Sequence, residues 1–219
     1  MILIHSEGIS PCIETAEPNY ELQNGRNTDS FGNDSLDGFK LNYILDVALK
    51  KKIHFHIATH AEVTNTCQEK ADLTGLPIEK VIKGYYLQDN LMEVSYGLMI
   101  PGNRTYNKYK VASAIGIKPE EVEARISRSK WLPVHMKYGT VHPFASKESF
   151  TSSNGEGLLE KIIFDESLIE QKGLADFSFT TPKETGYDNH RLSIQMNCLD
   201  AYTILQDTFG ERICSVNLC

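Results

Sequence analysis

No C-x-x-C pair occurs among the five cysteines of this 219-residue chain, which stand at 12, 67, 198, 214 and 219. An odd, scattered set gives neither a disulfide framework nor a zinc knuckle, so reduced thiols in a cytoplasmic setting are expected, with Cys198 and Cys214 as core residues. Neither G-x-x-x-x-G-K-[ST] nor G-x-G-x-x-G is present, which argues against nucleotide-driven chemistry, and no cofactor is expected. The G-x-S-x-G elbow of a serine nucleophile is missing as well. Met1-Ile2-Leu3-Ile4 is too short for the apolar part of a signal peptide, and no later run approaches the ~20 apolar residues that span a bilayer. A soluble intracellular protein with no membrane partner is the reading.

Positive charge is in short supply overall. The chain has 22 Lys and Arg against 29 Asp and Glu, a net charge of -7, which argues against a protein that coats DNA. Yet from Arg125 to Lys147 there are five basic residues (Arg125, Arg128, Lys130, Lys137 and Lys147) and no acid. Trp131, His135, Tyr138 and His142 are interleaved with them, a composition that suits either a grip on a nucleic-acid end by phosphate contact and base stacking or a plain solvated basic face.

What is present predicts one globular domain, because 41% apolar content is enough for a real core at this length. Residues 1–37 are rich in Asn, Asp, Ser and Gly and are expected to form an N-terminal extension, partly mobile; residues 38–219 are expected to form the domain. Phe39, Tyr43, Ile44, Val47 and Ala48 recur at helical spacing up to Lys50-Lys51-Lys52. Ile53, Phe55 and Ile57 alternate with His54 and His56 as in a half-buried strand with the histidines outward. Thr66-Cys67-Gln68-Glu69 has capping-box spacing, and Gly75 closes the predicted helix. Val81–Leu87 and Glu93–Ile100 read as a hairpin about Gln88-Asp89-Asn90. Helices follow near 107–115, ending at Gly116, and from Pro119. Lys161–Phe164, Ala175–Thr180, Leu192–Met196 and Ile213–Leu218 are short apolar runs, with a crossover helix at Leu199–Phe209. The expected fold class is α/β: a single-domain mixed β-sheet, partly barrel-like, with packed helices.

Two features carry candidate chemistry. Lys83 lies inside an apolar strand and shares a face with Val81, Tyr85 and Leu87. If that face is inward, its ammonium attracts a phosphate or a carbonyl oxygen gaining charge; the alternative is an edge lysine pointing to water. In Gly139-Thr140-Val141-His142-Pro143 the glycine lets backbone groups approach a ligand and the proline stiffens the loop, while the plainer reading is a surface turn. His54, His56 and His60 are not read as a metal site, since no acidic ligand lies at a recognisable spacing.

Taken in order, these pieces resemble the YbaK/ProX superfamily of aminoacyl-tRNA editing domains over roughly residues 40–218. Leu76 to Lys83 is similar to the segment that leads into that family's strand lysine, and Gly139 to Ala145 to its G-x-[VI]-[ST]-P-[FL]-G loop. Ile162-Ile163-Phe164-Asp165, Gly186, Leu192-Ser193-Ile194 and the helix from Leu199 follow its order of strand, glycine turn, strand and helix. The resemblance implies a freestanding trans-editing hydrolase that cleaves the ester of a mischarged aminoacyl-tRNA at the 3′-terminal adenosine. Lys83, Gly139 and His142 would be its catalytic residues, and Thr140, Pro143, Gly186 and Ser193 would bind substrate. Arg125, Arg128, Lys130 and Lys137 would contact the tRNA acceptor end, with an aminoacyl-tRNA synthetase as a second partner and no metal. The chain departs from the family at His142, where Ser or Thr is usual, at Ala145 for Gly, and near Ser193, where some members carry an aspartate. Those departures motivate the alternative of a catalytically inactive binding module for tRNA, a nucleotide or a partner protein.

Overall fold

The structure of the protein is a computed structural model that describes residues 3–6, 47–60, 64–129, 141–144, 158–179 and 192–219. Nine strands lie in these residues: β1 (Leu3–Ser6), β2 (Phe55–His60), β3 (Ile82–Asp89), β4 (Val94–Pro101), β5 (Ile126–Arg128), β6 (Leu158–Asp165), β7 (Leu174–Phe179), β8 (Leu192–Asn197) and β9 (Ile213–Val216). The α-helices are α1 (Cys67–Thr74), α2 (Lys108–Ala114), α3 (Val122–Arg125), α4 (Glu166–Ile169) and α5 (Cys198–Phe209), and residues 47–50 are also helical. None of the helices is long and apolar enough to cross a membrane, among the described residues.

Local chemistry sets most of these boundaries. At the start of α1 the Thr66 hydroxyl accepts the Glu69 N–H at 3.1 Å, while the Glu69 carboxylate accepts the N–H groups of Thr66 and Asn65 at 3.3 and 2.7 Å. This reciprocal box satisfies amides that have no partner within the helix, and Gly75, at φ +68°, ends α1 in the left-handed region. Asn107 caps α2 by accepting from the Tyr109 and Lys110 N–H groups, and Asn197 caps α5 by accepting from Leu199.

The strands form a four-stranded sheet, ordered β1-β2-β8-β7, and a five-stranded sheet, ordered β5-β3-β4-β6-β9. Within the expected N-terminal extension, β1 pairs in parallel with β2; residues 7–37 lie outside the described residues. β3 and β4 make the expected hairpin, in register from Ile82 opposite Pro101 to Asp89 opposite Val94, and β6 and β9 add to it in parallel. Both faces of the larger sheet are covered. Ile82, Tyr86, Met99, Ile162 and Phe164 belong to a core shared with α5 and the smaller sheet, whereas Leu87, Leu98, Ile100 and Ile163 pack under α2 and α3. That double coverage explains why β4 reads as a continuous apolar run.

The mixed α/β class agrees with the expectation; the barrel does not. Among the described residues neither sheet closes on itself, and a barrel needs every strand paired on both sides. Among them the sheets meet at a parallel bridge, Val81 to Asp176, with a cavity beside it.

One buried ion pair fixes the far end of the hairpin. Asp89 is 1% exposed and accepts from Arg125 Nε and Nη2 at 3.2 and 2.5 Å and from the N–H groups of Leu91 and Met92. Burial alone would raise its carboxyl pKa, but the guanidinium and the two amides more than offset this and hold it below the usual range. Arg125 also binds Glu121 at 2.8 Å. Arg125→Ala leaves a buried carboxylate without its cation, so a thermal melt is expected to show a clearly lower midpoint for this variant than for Arg128→Ala, whose side chain is exposed. Equal midpoints would contradict a structural role for the Arg125 pair.

Candidate functional site

Among the described residues β3 is paired with β4 along its whole length and with β5 over Leu87–Asp89, the Ser129 N–H also donating to the Tyr86 carbonyl, and Val81 at its start bridges Asp176 of β7. Beside the intervening stretch lies a cavity of about 480 Å³. One wall is the amino end of α1 with the residues before it, Thr64 to Gln68. Another is β3 from Ile82 to Tyr85, and Arg128 of β5 and Ser178 of β7 stand on either side of the gap.

Lys83 lines this cavity and is half-buried; its Nζ donates to the Arg104 carbonyl at 2.9 Å. It is therefore neither immersed in the core nor a freely solvated edge lysine. Tyr85 and Leu87 share its face, as the period of two predicts.

Gly84, the next residue, faces the other side of β3 and explains how the histidine-proline loop packs there; none of Val141–Phe144 lines the cavity. A Cβ on Gly84 would lie 2.1 Å from the Val141 carbonyl oxygen and 2.7 Å from its carbon, so the loop backbone presses directly on β3. Only glycine leaves room for that approach. Val141, His142, Pro143 and Phe144 are all buried, and Phe144 stacks edge-on against Phe177 with centroids 5.2 Å apart. The loop is thus held by the core, unlike a surface turn. Gly139 and Thr140, like Gly186, Lys130 and Lys137, lie outside the described residues.

His142 is 4% exposed, and burial pushes its pKa down to about 3, so at neutral pH the ring is an uncharged donor and acceptor. His56, expected to face outward with His54, is buried instead, and burial with the neighbouring His54 lowers its pKa also. Ser193 is fully buried and does not line the cavity; its hydroxyl donates to Asp176 Oδ1 at 3.1 Å. Of the expected nucleic-acid contacts, Arg128 lines the cavity and Arg125 is engaged with Asp89 and Glu121.

Two charged residues escaped the sequence reading. Lys70, on α1, lines the cavity and is 2% exposed, and its Nζ lies 3.7 Å from Asp176 Oδ1, an ion pair longer than a hydrogen bond. Burial lowers the Lys70 pKa, partly offset by the Asp176 charge. Asp176 is 0% exposed and accepts from Ser178, Ser193 and Gln195 at 3.1–3.2 Å. An acid between Ala175 and Phe177 in an apolar run was the available signal for it; Lys70 gave none, since a lysine in a short helix ordinarily faces water. Cys67 also lines the cavity, and burial raises its thiol pKa despite the nearby Lys83, so it is mostly protonated at neutral pH. Among the described residues no cluster of His, Cys, Asp and Glu could hold a metal ion.

No protein-family model matches the chain, and no curated protein does. Solved structures do. The chain is similar to a hypothetical protein at 13% identity and a TM-score of 0.55, covering 80% of this chain and 98% of that one. It is also similar to a proposed trans-editing enzyme for prolyl tRNA synthetase at 15% identity and a TM-score of 0.51, covering 82% and 93%. At these identities the likenesses show the fold alone: the mixed α/β architecture is shared with both structures.

Two outcomes follow from this geometry. Gly84→Ala places a methyl group where the Val141 carbonyl sits, so the loop must shift; a loss of about 1–3 kcal/mol is expected from such overpacking. Chemical denaturation should show a larger loss than for Gly97→Ala, whose nearest neighbour would be a side-chain carbon at 3.4 Å. The second concerns pH. Because the folded protein keeps His142 neutral down to about 3 while the unfolded chain protonates it near the ordinary histidine value, stability falls as pH drops through that window. Between pH 7 and pH 5 this one residue should remove about 2 kcal/mol, and urea unfolding of His142→Phe should show a pH slope smaller by that amount. His56 acts in the same direction and stays in the variant's residual slope.

Proposed function

We propose that the protein is a freestanding aminoacyl-tRNA deacylase that hydrolyses the ester of a mischarged tRNA at its 3′-terminal adenosine. The observation that carries this reading is that Lys83 lines the cavity one residue before Gly84, on which the 141–144 loop packs, although no residue of 141–144 itself lines the cavity. In the chemistry proposed, a water oxygen bonds to the acyl carbon, the carbon–oxygen ester bond breaks, and the released ribose oxygen takes a proton. No covalent protein intermediate is needed. Lys83 offsets the charge that develops on the substrate, the backbone of Gly139 and Thr140 positions the acyl group, and Pro143 holds the loop against the core.

His142 keeps its place in the proposal as a neutral hydrogen-bonding ring that fixes the loop. Its low pKa argues against an imidazolium acid at neutral pH. Ser193 acts through Asp176, which it binds. Gly186 is proposed to bind substrate, as the resemblance implies. Arg128, with Lys130 and Lys137, is proposed to meet the acceptor-end phosphates; Arg125 serves mainly Asp89. A tRNA substrate suits a cytoplasmic protein, with a synthetase as the source of the mischarged tRNA.

The alternative is a binding module that keeps the fold without turnover, favoured by the serine at position 193 and the buried histidine in the loop. Release of amino acid from a panel of charged tRNAs separates the two. Wild type is expected to deacylate at least one, and Lys83→Ala to lower kcat/KM by about 100-fold or more, the scale of removing one stabilising donor. A full rate in Lys83→Ala rejects the site, and tRNA binding with no release on any member of the panel selects the binding module.

A further inference from the structure

Lys70 is a buried charged group that the proposed hydrolysis leaves unused. Its ammonium has three N–H donors and, among the described residues, no hydrogen-bond partner. Its counter-charge among them, Asp176 Oδ1, stands at 3.7 Å. Asp176 does not depend on it, because the Ser178 hydroxyl, the Ser193 hydroxyl and the Gln195 amide already donate to that carboxylate. Turning the ammonium from Asp176 toward the cavity therefore loosens an ion pair already stretched to 3.7 Å, while the carboxylate keeps its other three donors.

The cavity is suited to receive it. Lys70, Lys83 and Arg128 all line the same space, and no Asp or Glu among the described residues does. A volume of about 480 Å³ is that of a small-molecule site. A desolvated ammonium without acceptors is a costly group in a folded protein, and an entering anionic oxygen would supply the missing hydrogen bonds where water screens least.

We infer that the inner end of this cavity is a subsite for an oxyanion, a carboxylate or a phosphate group, recognised by Lys70 with Lys83 nearer the opening. The inference deepens the deacylase reading and rests on it only for the identity of the substrate, which would carry such a group at the end that enters the cavity. Anion binding itself stands on the geometry alone.

Titration calorimetry of the full chain at low salt tests it, with inorganic phosphate, adenosine 5′-monophosphate and glutarate as probes and adenosine and glutaramide as their neutral counterparts. At least one anion is expected to bind more tightly than its counterpart; preference for the phosphates or for glutarate identifies the source of the oxyanion. Lys70→Met should weaken that binding at least tenfold with the circular dichroism spectrum unchanged. Asp176→Asn should strengthen it, since the competing carboxylate is gone, whereas a purely structural pair predicts weakening. In wild type the Lys70 side-chain NMR signals should shift on anion addition, a readout that requires no variant to fold. No preference for any anion, unchanged affinity in Lys70→Met, weaker binding in Asp176→Asn or unmoved Lys70 signals each overturn the subsite. The charged-tRNA panel is decided separately: deacylation without anion preference removes the subsite and leaves the hydrolase, and anion binding without deacylation does the reverse.

Discussion

The arrangement of the site depends on how β3 is held. One edge is hydrogen-bonded to β4 throughout, and among the described residues β5 pairs with its last three residues and Val81 bridges its start to β7. Lys83 thus stands on a firmly paired strand and lines the cavity. Gly84 extends the same constraint to the loop, since the Val141 carbonyl can press on β3 only where no side chain intervenes.

Charge is distributed around this cavity in an uneven way. Among the described residues the cavity wall holds cations and no acids, although the chain as a whole is acidic. The nearest carboxylate, Asp176, sits beneath the wall at the junction of the sheets, where two serines and a glutamine neutralise its demand for hydrogen bonds. Its place on β7 beside Ser193 of β8 is notable, because the resemblance noted from the sequence associates an aspartate with the Ser193 position. A carboxylate is present in the neighbourhood, contributed by the adjacent strand and aimed at a lysine.

Much of the fold was legible because it is written in short-range patterns. Thr66 and Glu69 announce the start of α1 and Gly75 its end; Asn107 and Gly116 bracket α2; the alternation about Lys83 places it on the face of Tyr85 and Leu87. Each depends on residues within a turn or a strand of one another. The barrel expectation failed for the complementary reason. Whether a sheet closes depends on how β3 and β7 meet, and they are distant in sequence.

The same division runs through the site. The sequence by itself determined that Lys83 lies in a strand, that α1 begins after Thr66 and that it ends at Gly75, since propensity, capping and periodicity act along the chain. Only the tertiary structure decided that Val141 rests on Gly84, that His142 is buried and neutral, that Arg125 is tied to Asp89, and that Lys70 meets Asp176. Burial and charge pairing are properties of what packs against a residue, and no local pattern records that.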